Sequence, residues 1–163
     1  MGTRSLTIFQ EEDGTEIAVL YRQFDGYPTG HGADLKEFLS GFTVVNGYGL
    51  GEPERSANGM NCLAAQTIAH FKDGIGGFYL YPAGTRDAGE EYIYIVGYEK
   101  GRIRLKVQAG AVTFFGLPGT EQAHMPVLFN GLIEDFDPEE IQRSWRERDS
   151  DPPNDYLDGQ QVA

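Results

Sequence analysis

A single cysteine, Cys62, is all the thiol that this chain of 163 residues contains. One thiol forbids an intrachain disulfide and is too few for a thiolate zinc site, so stability has to come from packing. Basic residues are scarce too: 13 Lys and Arg stand against 25 Asp and Glu, a formal charge of -12. An acidic surface repels the nucleic-acid backbone, which argues against direct DNA or RNA binding. No apolar run approaches the roughly 20 residues that span a bilayer, so no membrane partner is expected. The opening Met1-Gly2-Thr3-Arg4-Ser5 lacks the apolar stretch of a secretory signal, and the cytoplasm is the expected compartment.

What the chain has in plenty is glycine, 22 residues, about twice ordinary usage, which implies many turns and short elements. Leu6 and Ile8 alternate with polar neighbours, as do Ile17, Val19 and Tyr21. Asp13-Gly14 between these two runs marks a hairpin, and it brings the sequence neighbourhoods of Arg4 and Arg22 together. Residues Ala33 to Leu39 read as a short helix, and Phe42 to Val45 as a short strand. A longer helix carries Met60, Leu63, Ala64, Thr67, Ile68 and Phe71 on one stripe, with Asn58 or Asn61 as its cap. Strands are expected at 78–81, 91–99, 102–108 and 112–115. Lys100-Gly101 fits a two-residue hairpin that sets Tyr98 opposite Ile103, Val96 opposite Leu105 and Tyr94 opposite Val107. A last helix runs from about Pro138 to Arg148, capped by Asp137 and docked by Ile141 and Trp145. The sum is an α+β fold with a mostly antiparallel sheet, two central helices and a C-terminal helix. It forms one domain over 1–150, followed by a polar, flexible tail over 151–163.

The densest cluster of chemistry is Tyr21 to Gly32, Tyr-Arg-Gln-Phe-Asp-Gly-Tyr-Pro-Thr-Gly-His-Gly. Within it Arg22, Asp25, Tyr27 and His31 offer a cation, a carboxylate, a phenol and an imidazole. Gly26, Gly30 and Gly32 would let backbone amides approach an anion. The bland reading makes Asp25-Gly26 a turn, Tyr27-Pro28 a lid on the core and His31 a local cap.

Met-Gly-Thr-Arg-Ser before a hairpin, then Asp25-Gly26-Tyr27-Pro28 and a Gly-His-Gly turn, resembles a group of small proteins from phages, prophages and plasmids. The likeness covers about the first 40 residues. It implies a bacterial cytoplasm and a mobile-element setting in which small proteins interfere with host enzymes or host defence signals. No catalytic roles carry over. Here Arg22-Gln23-Phe24 stands where many members have a Cys-His-Trp-like run, so metal or thiol chemistry does not carry over either.

Other groups were weighed against plainer roles. Arg102, Arg104 and Lys106 share one strand face and could receive a phosphate, or could be a solvated face balanced by Glu99. Cys62 near a helix start, with His31, His70 or His124, would suit a cysteine-dependent hydrolase; a small buried thiol is the plainer role. Glu90-Glu91 could serve acid/base work or mark a charged strand edge. The three histidines have no metal-ligand spacing, so no metal and no cofactor are expected.

The reading that results is a non-enzymatic binding protein that holds a small anionic ligand, plausibly a nucleotide, and sequesters a host signal. Its ligand residues would be Arg4, Arg22, Asp25, Tyr27, His31, Gln66, His70 and Arg104. They would meet in a pocket between the loop, the polar row Cys62, Gln66 and His70 of the long helix, and the aromatic strands. A protein-targeting inhibitor is the rival. Residues 134–163 would then mimic nucleic acid with ten acids against three bases, and the partner would be a host protein. Homo-oligomerisation is left open.

Overall fold

In a computed structural model of the chain, residues 2–47, 54–110 and 125–150 are described. The strand expected at 112–115, His124 and the tail 151–163 lie outside them. The first hairpin joins β1 (Ser5–Gln10) to β2 (Glu16–Arg22). Its turn works as the sequence implies: Gly14 takes a φ of +88°, and the Asp13 carboxylate accepts the Thr15 amide at 2.9 Å. A π-type turn over Pro28–Gly32 runs directly into α1 (Ala33–Leu39). Then follow β3 (Thr43–Val45), β4 (Ser56–Asn58), α2 (Gly59–Phe71) and β5 (Phe78–Tyr81). The chain continues through β6 (Tyr92–Glu99), β7 (Arg102–Ala109), β8 (Val127–Leu132), a 3-10 turn at Ile133–Asp135 and α3 (Pro138–Ser150).

These elements make an α+β fold around one mostly antiparallel sheet in the order β4-β3-β7-β6-β1-β2-β5, with β8 also on β7. The β6–β7 register is the expected one at every position from Glu99↔Arg102 to Tyr94↔Val107. Lys100 and Gly101 take φ of 52° and 78°, the left-handed pair that a two-residue hairpin needs. Among the described strands two pairings are parallel, β1 with β6 and β3 with β4. The first makes β1 a central strand, so Ser5, Thr7 and Phe9 are as buried as Leu6 and Ile8. The alternation in β1 therefore reports two covered faces rather than one wet one.

One face carries the main core, in which Phe9, Leu20, Tyr94, Val96, Leu105 and Val107 meet Leu35 and Leu39 of α1 and Met60 and Leu63 of α2. Ile141 of α3 packs at its margin. The other face holds a smaller cluster, Leu6, Ile8, Val19 and Ile93, with Ala88 packed against it. The segment carrying Ala88 is tied down where Arg86 pairs with Glu16 and the Gly84 amide donates to the Glu16 carboxylate at 2.7 Å.

The caps divide. Asp137 accepts the Glu140 amide at 3.2 Å and caps α3 as expected. Neither asparagine caps α2: Asn58 accepts from the Gly47 amide at 2.7 Å, and Asn61 donates to Glu11 at 3.2 Å. Both side chains bond across to loops that lie within reach only after the sheet has formed.

Candidate functional site

The Tyr21–Gly32 connection folds inward over the sheet. Gly26 donates its amide to the Thr3 carbonyl at 2.9 Å, and its carbonyl accepts the Tyr94 hydroxyl at 2.7 Å. The His31 amide reaches the Asp25 carbonyl at 2.8 Å, and the Gly30 amide reaches the Tyr27 carbonyl at 2.9 Å. The glycines allow close packing rather than an open nest. A Cβ on Gly26 would sit 2.8 Å from that of Ser5, and one on Gly32 would press on Phe136 and Tyr94 at 3.1 and 3.3 Å. Their amides are engaged within the loop and against Thr3, which corrects the expectation that they face an anion. Gly32 itself is helical and continuous with the turn before it, so α1 presents no free N-terminus.

His31 lies fully buried at the centre of a polar chain. Its Nδ1 is 3.1 Å from Nη1 of Arg22, and the same guanidinium nitrogen donates to Asp34 at 2.6 Å. A guanidinium can only donate, so Nδ1 accepts, Nε2 carries the proton, and Nε2–H donates to the Thr7 hydroxyl at 2.6 Å. Burial, with the Arg22 charge adding to it, lowers the imidazole pKa from 6.5 to about 3. The ring stays neutral, wedged against Tyr94, Phe71 and Phe78. Burial also pushes the Tyr94 phenol well above its ordinary value. Arg22 is similarly consumed: Nε donates to the Phe24 carbonyl at 2.6 Å, and the guanidinium lies 5.2 Å from the centre of the Phe78 ring. This network holds the loop to β1, β2 and α1.

The other expected ligand residues do not converge on it. Arg4 and Arg22 are not neighbours, because Arg22 pairs with Ser5, and adjacent residues of a strand point to opposite faces. Arg4 lies on the side of the smaller cluster, with its guanidinium against Gly89. Arg104 is on that far side as well, pairing with Glu99 at 3.3 Å. The row Cys62, Gln66 and His70 faces α1 and β4, not the loop. Gln66 donates to the Ser56 carbonyl at 3.1 Å and approaches the Cys62 sulfur at 3.3 Å, while the His70 ring stacks on Phe38 with centroids 4.0 Å apart. The space drawn between loop and helix is filled by His31, Phe71, Phe78 and Tyr94. Both ring nitrogens of His31 are engaged, so it cannot serve Cys62 as a base. Glu90 is buried, accepts the Ala88 amide at 3.0 Å, and has its pKa raised by burial. No group of three or more potential metal ligands occurs among the described residues.

On the outer side of the same loop there is a cleft of about 260 Å3, lined by Thr3, Tyr27, Glu91, Tyr92, Gln142, Trp145 and Arg146. Of the expected ligand residues, only Tyr27 lines it. Gln142 anchors one wall, its Oε1 accepting from both the Thr29 amide at 2.8 Å and the Thr29 hydroxyl at 2.5 Å. Trp145 follows one turn later on the same side of α3, and Arg146 adds a guanidinium at the rim. Asp25 lies next to the cleft, its carboxylate accepting the Tyr27 hydroxyl at 3.3 Å. In the sequence Trp145 reads as a docking residue and Arg146 as one charge in an acidic helix. Nothing local says that α3 meets a loop 113 residues earlier.

Compared with protein-family models, with curated proteins and with solved structures, the chain matches none of them. No helix among the described residues is long and apolar enough to cross a membrane.

Proposed function

We propose that the protein is a non-enzymatic binding protein whose ligand, a small anionic molecule of the nucleotide class, sits in the cleft between the Tyr21–Gly32 loop, β6 and α3. The observation that carries the reading is the joint presence of Tyr27, Tyr92, Trp145 and Arg146 around one cleft. Aromatic faces stack on a base, a guanidinium meets a phosphate with paired donors, and Gln142, whose Oε1 is taken by Thr29, has an amide NH2 of the kind that donates to a base's ring nitrogen or carbonyl. At about 260 Å3 the cleft is just under the usual size of small-molecule sites, which suits one ring and one anionic group. Binding is favoured over turnover because His31 and Tyr94, whose pKa values are shifted, are buried and do not line the cleft. In a mobile-element setting, removal of a host signalling nucleotide is the role that follows.

A thermal-shift screen against nucleoside monophosphates and cyclic nucleotides tests the proposal, since a ligand that binds the native state raises the melting temperature. Arg146→Ala and Tyr27→Ala should each abolish most of the ligand-induced shift. Arg22→Ala is a poor probe, because losing that buried guanidinium lowers the melting temperature without any ligand. If no nucleotide stabilises the protein, or if both cleft variants respond as the wild type does, the reading is wrong.

A further inference from the structure

Of the six large hydrophobic side chains exposed among the described residues, five gather at one edge of the sheet. They are Phe24, Ile75, Tyr79, Leu80 and Tyr81; Val127 lies elsewhere. Ile75 is fully exposed and Leu80 is 63% exposed. Contiguous exposed apolar surface at a sheet edge marks an association site, and among the described residues β5 is the last strand on this side.

Backbone hydrogen bonding narrows what can dock there. The Gln23 amide bonds the Gly77 carbonyl, so along the β2–β5 ladder Tyr79 and Tyr81 turn their polar groups toward β2, while Phe78 and Leu80 turn theirs outward. The outward groups of Phe78 are already taken, its amide by the Gly76 carbonyl at 2.9 Å and its carbonyl by Lys72 Nζ at 2.9 Å. Pro82 has no amide proton, and its carbonyl accepts from the Thr85 amide at 3.2 Å. Among the described residues, what remains of the open edge is the amide and carbonyl of Leu80.

An extended peptide gains little from a single open residue. A second copy related by a two-fold axis at Leu80 uses that residue fully, because each Leu80 amide donates to the other Leu80 carbonyl. The same axis sets Tyr79 of one copy opposite Tyr81 of the other on one sheet face. The tyrosine array within a protomer, where Tyr21 packs 6.0 Å from Tyr79 and 5.7 Å from Tyr81, would then continue across the axis. The segment from Gly74 to Pro82 contains no carboxylate, so no acidic side chain of that segment opposes another across the axis.

We infer that the protein self-associates through β5 into a two-fold dimer centred on Leu80, extending the sheet from one copy into the next. Two backbone hydrogen bonds and a small apolar patch make this a weak, concentration-dependent dimer.

Sedimentation velocity on the full chain, from micromolar to millimolar concentration, should show the mass rising from 18.0 kDa toward twice that value. Leu80→Lys should hold it at the monomer value throughout while leaving the circular dichroism unchanged, since the side chain is exposed. A cross-linking arm is independent of affinity. In a Cys62→Ser background, Leu80→Cys should form an intermolecular disulfide on mild oxidation, because an antiparallel hydrogen-bonded pair holds its Cα atoms about 5.5 Å apart, within disulfide reach. Val127→Cys, also exposed, should not. A monomer at every concentration, a dimer indifferent to Leu80→Lys, or cross-linking no faster at Leu80 than at Val127 overturns the inference. A monomer whose Leu80 amide gains exchange protection only from an added strand peptide assigns the edge to another chain and overturns it as well.

Discussion

The two sides of the Tyr21–Gly32 loop are built from similar residue types and do opposite things. On the inner side a cation, a carboxylate, an imidazole and a hydroxyl are joined into one chain, Asp34–Arg22–His31–Thr7, that runs from a half-exposed carboxylate to a fully buried imidazole and hydroxyl, with each link at 3.1 Å or less. On the outer side Tyr27, Trp145 and Arg146 border a cleft that solvent can enter. Polar groups withdrawn from water and paired with one another stabilise and position; the same groups left at a cleft can bind something else. Richness in titratable residues therefore did not mark the side of this loop that borders the cleft.

The difference can be tested first where it should be largest. His31→Ala removes a buried ring and leaves the Arg22 guanidinium and the Thr7 hydroxyl without their partner. The expected cost is about 3 to 5 kcal/mol, read by urea unfolding. Arg146→Ala, at the exposed rim, should cost less than about 0.5 kcal/mol. Equal effects from the two substitutions would erase the distinction between the sides.

A smaller effect follows from the proton that His31 does not carry. Burial disfavours the imidazolium, so the native chain binds fewer protons here than the unfolded chain does between pH 6.5 and about pH 3. The stability is fully present above pH 6.5 and is lost as the pH falls, with a slope of at most about 1.4 kcal/mol per pH unit. Glu90 works the other way, because its raised pKa makes the native state hold a proton more readily, and that contribution is lost as pH rises. The unfolded histidine titrates just below and around pH 6.5, so its share of the slope is read between about pH 5 and 6.5 by comparison with a variant that keeps Glu90. His31→Asn should flatten the slope in that window even if its overall stability is lower. A slope equal to that of the wild type would mean that the imidazole is solvated and charged in the native state.

How much of this was legible depends on sequence distance. The β6–β7 register followed from Lys100-Gly101 because a two-residue turn leaves one pairing available. The α2 stripe of Met60, Leu63 and Ala64 followed from helical spacing. The inward fold of the loop did not, because it depends on Tyr94 reaching Gly26 over 68 residues and on Gln142 reaching Thr29 over 113. The cleft was hidden for the same reason: its walls come from the first strand region, the loop, β6 and α3. Arg4 and Arg22 were misjoined because a hairpin brings residues close without saying which face each one takes. Parity within the strands would have separated them, since Arg4 and Ser5 must point oppositely and Ser5 faces Arg22.

The smallest expected effect sharpens the comparison most, because Asp25 belongs to both sides. Its carbonyl faces inward and accepts the His31 amide at 2.8 Å, while its carboxylate faces outward to the Tyr27 hydroxyl at 3.3 Å. Asp25 has a φ of 57°, a left-handed conformation that costs a non-glycine residue on the order of 1 kcal/mol. Asp25→Gly relieves that strain and adds unfolded-chain entropy of similar size, so the stability should change by less than about 0.5 kcal/mol. The inward bond survives because it is made by the backbone. The outward bond disappears, and at 3.3 Å it is too long to fix the phenol firmly. The nucleotide-induced thermal shift should therefore stay close to that of the wild type, in contrast to its loss in Tyr27→Ala. A loss as large as that of Tyr27→Ala would show that the cleft is set by the Asp25 side chain, and the loop's two sides would then be coupled through one residue instead of acting separately.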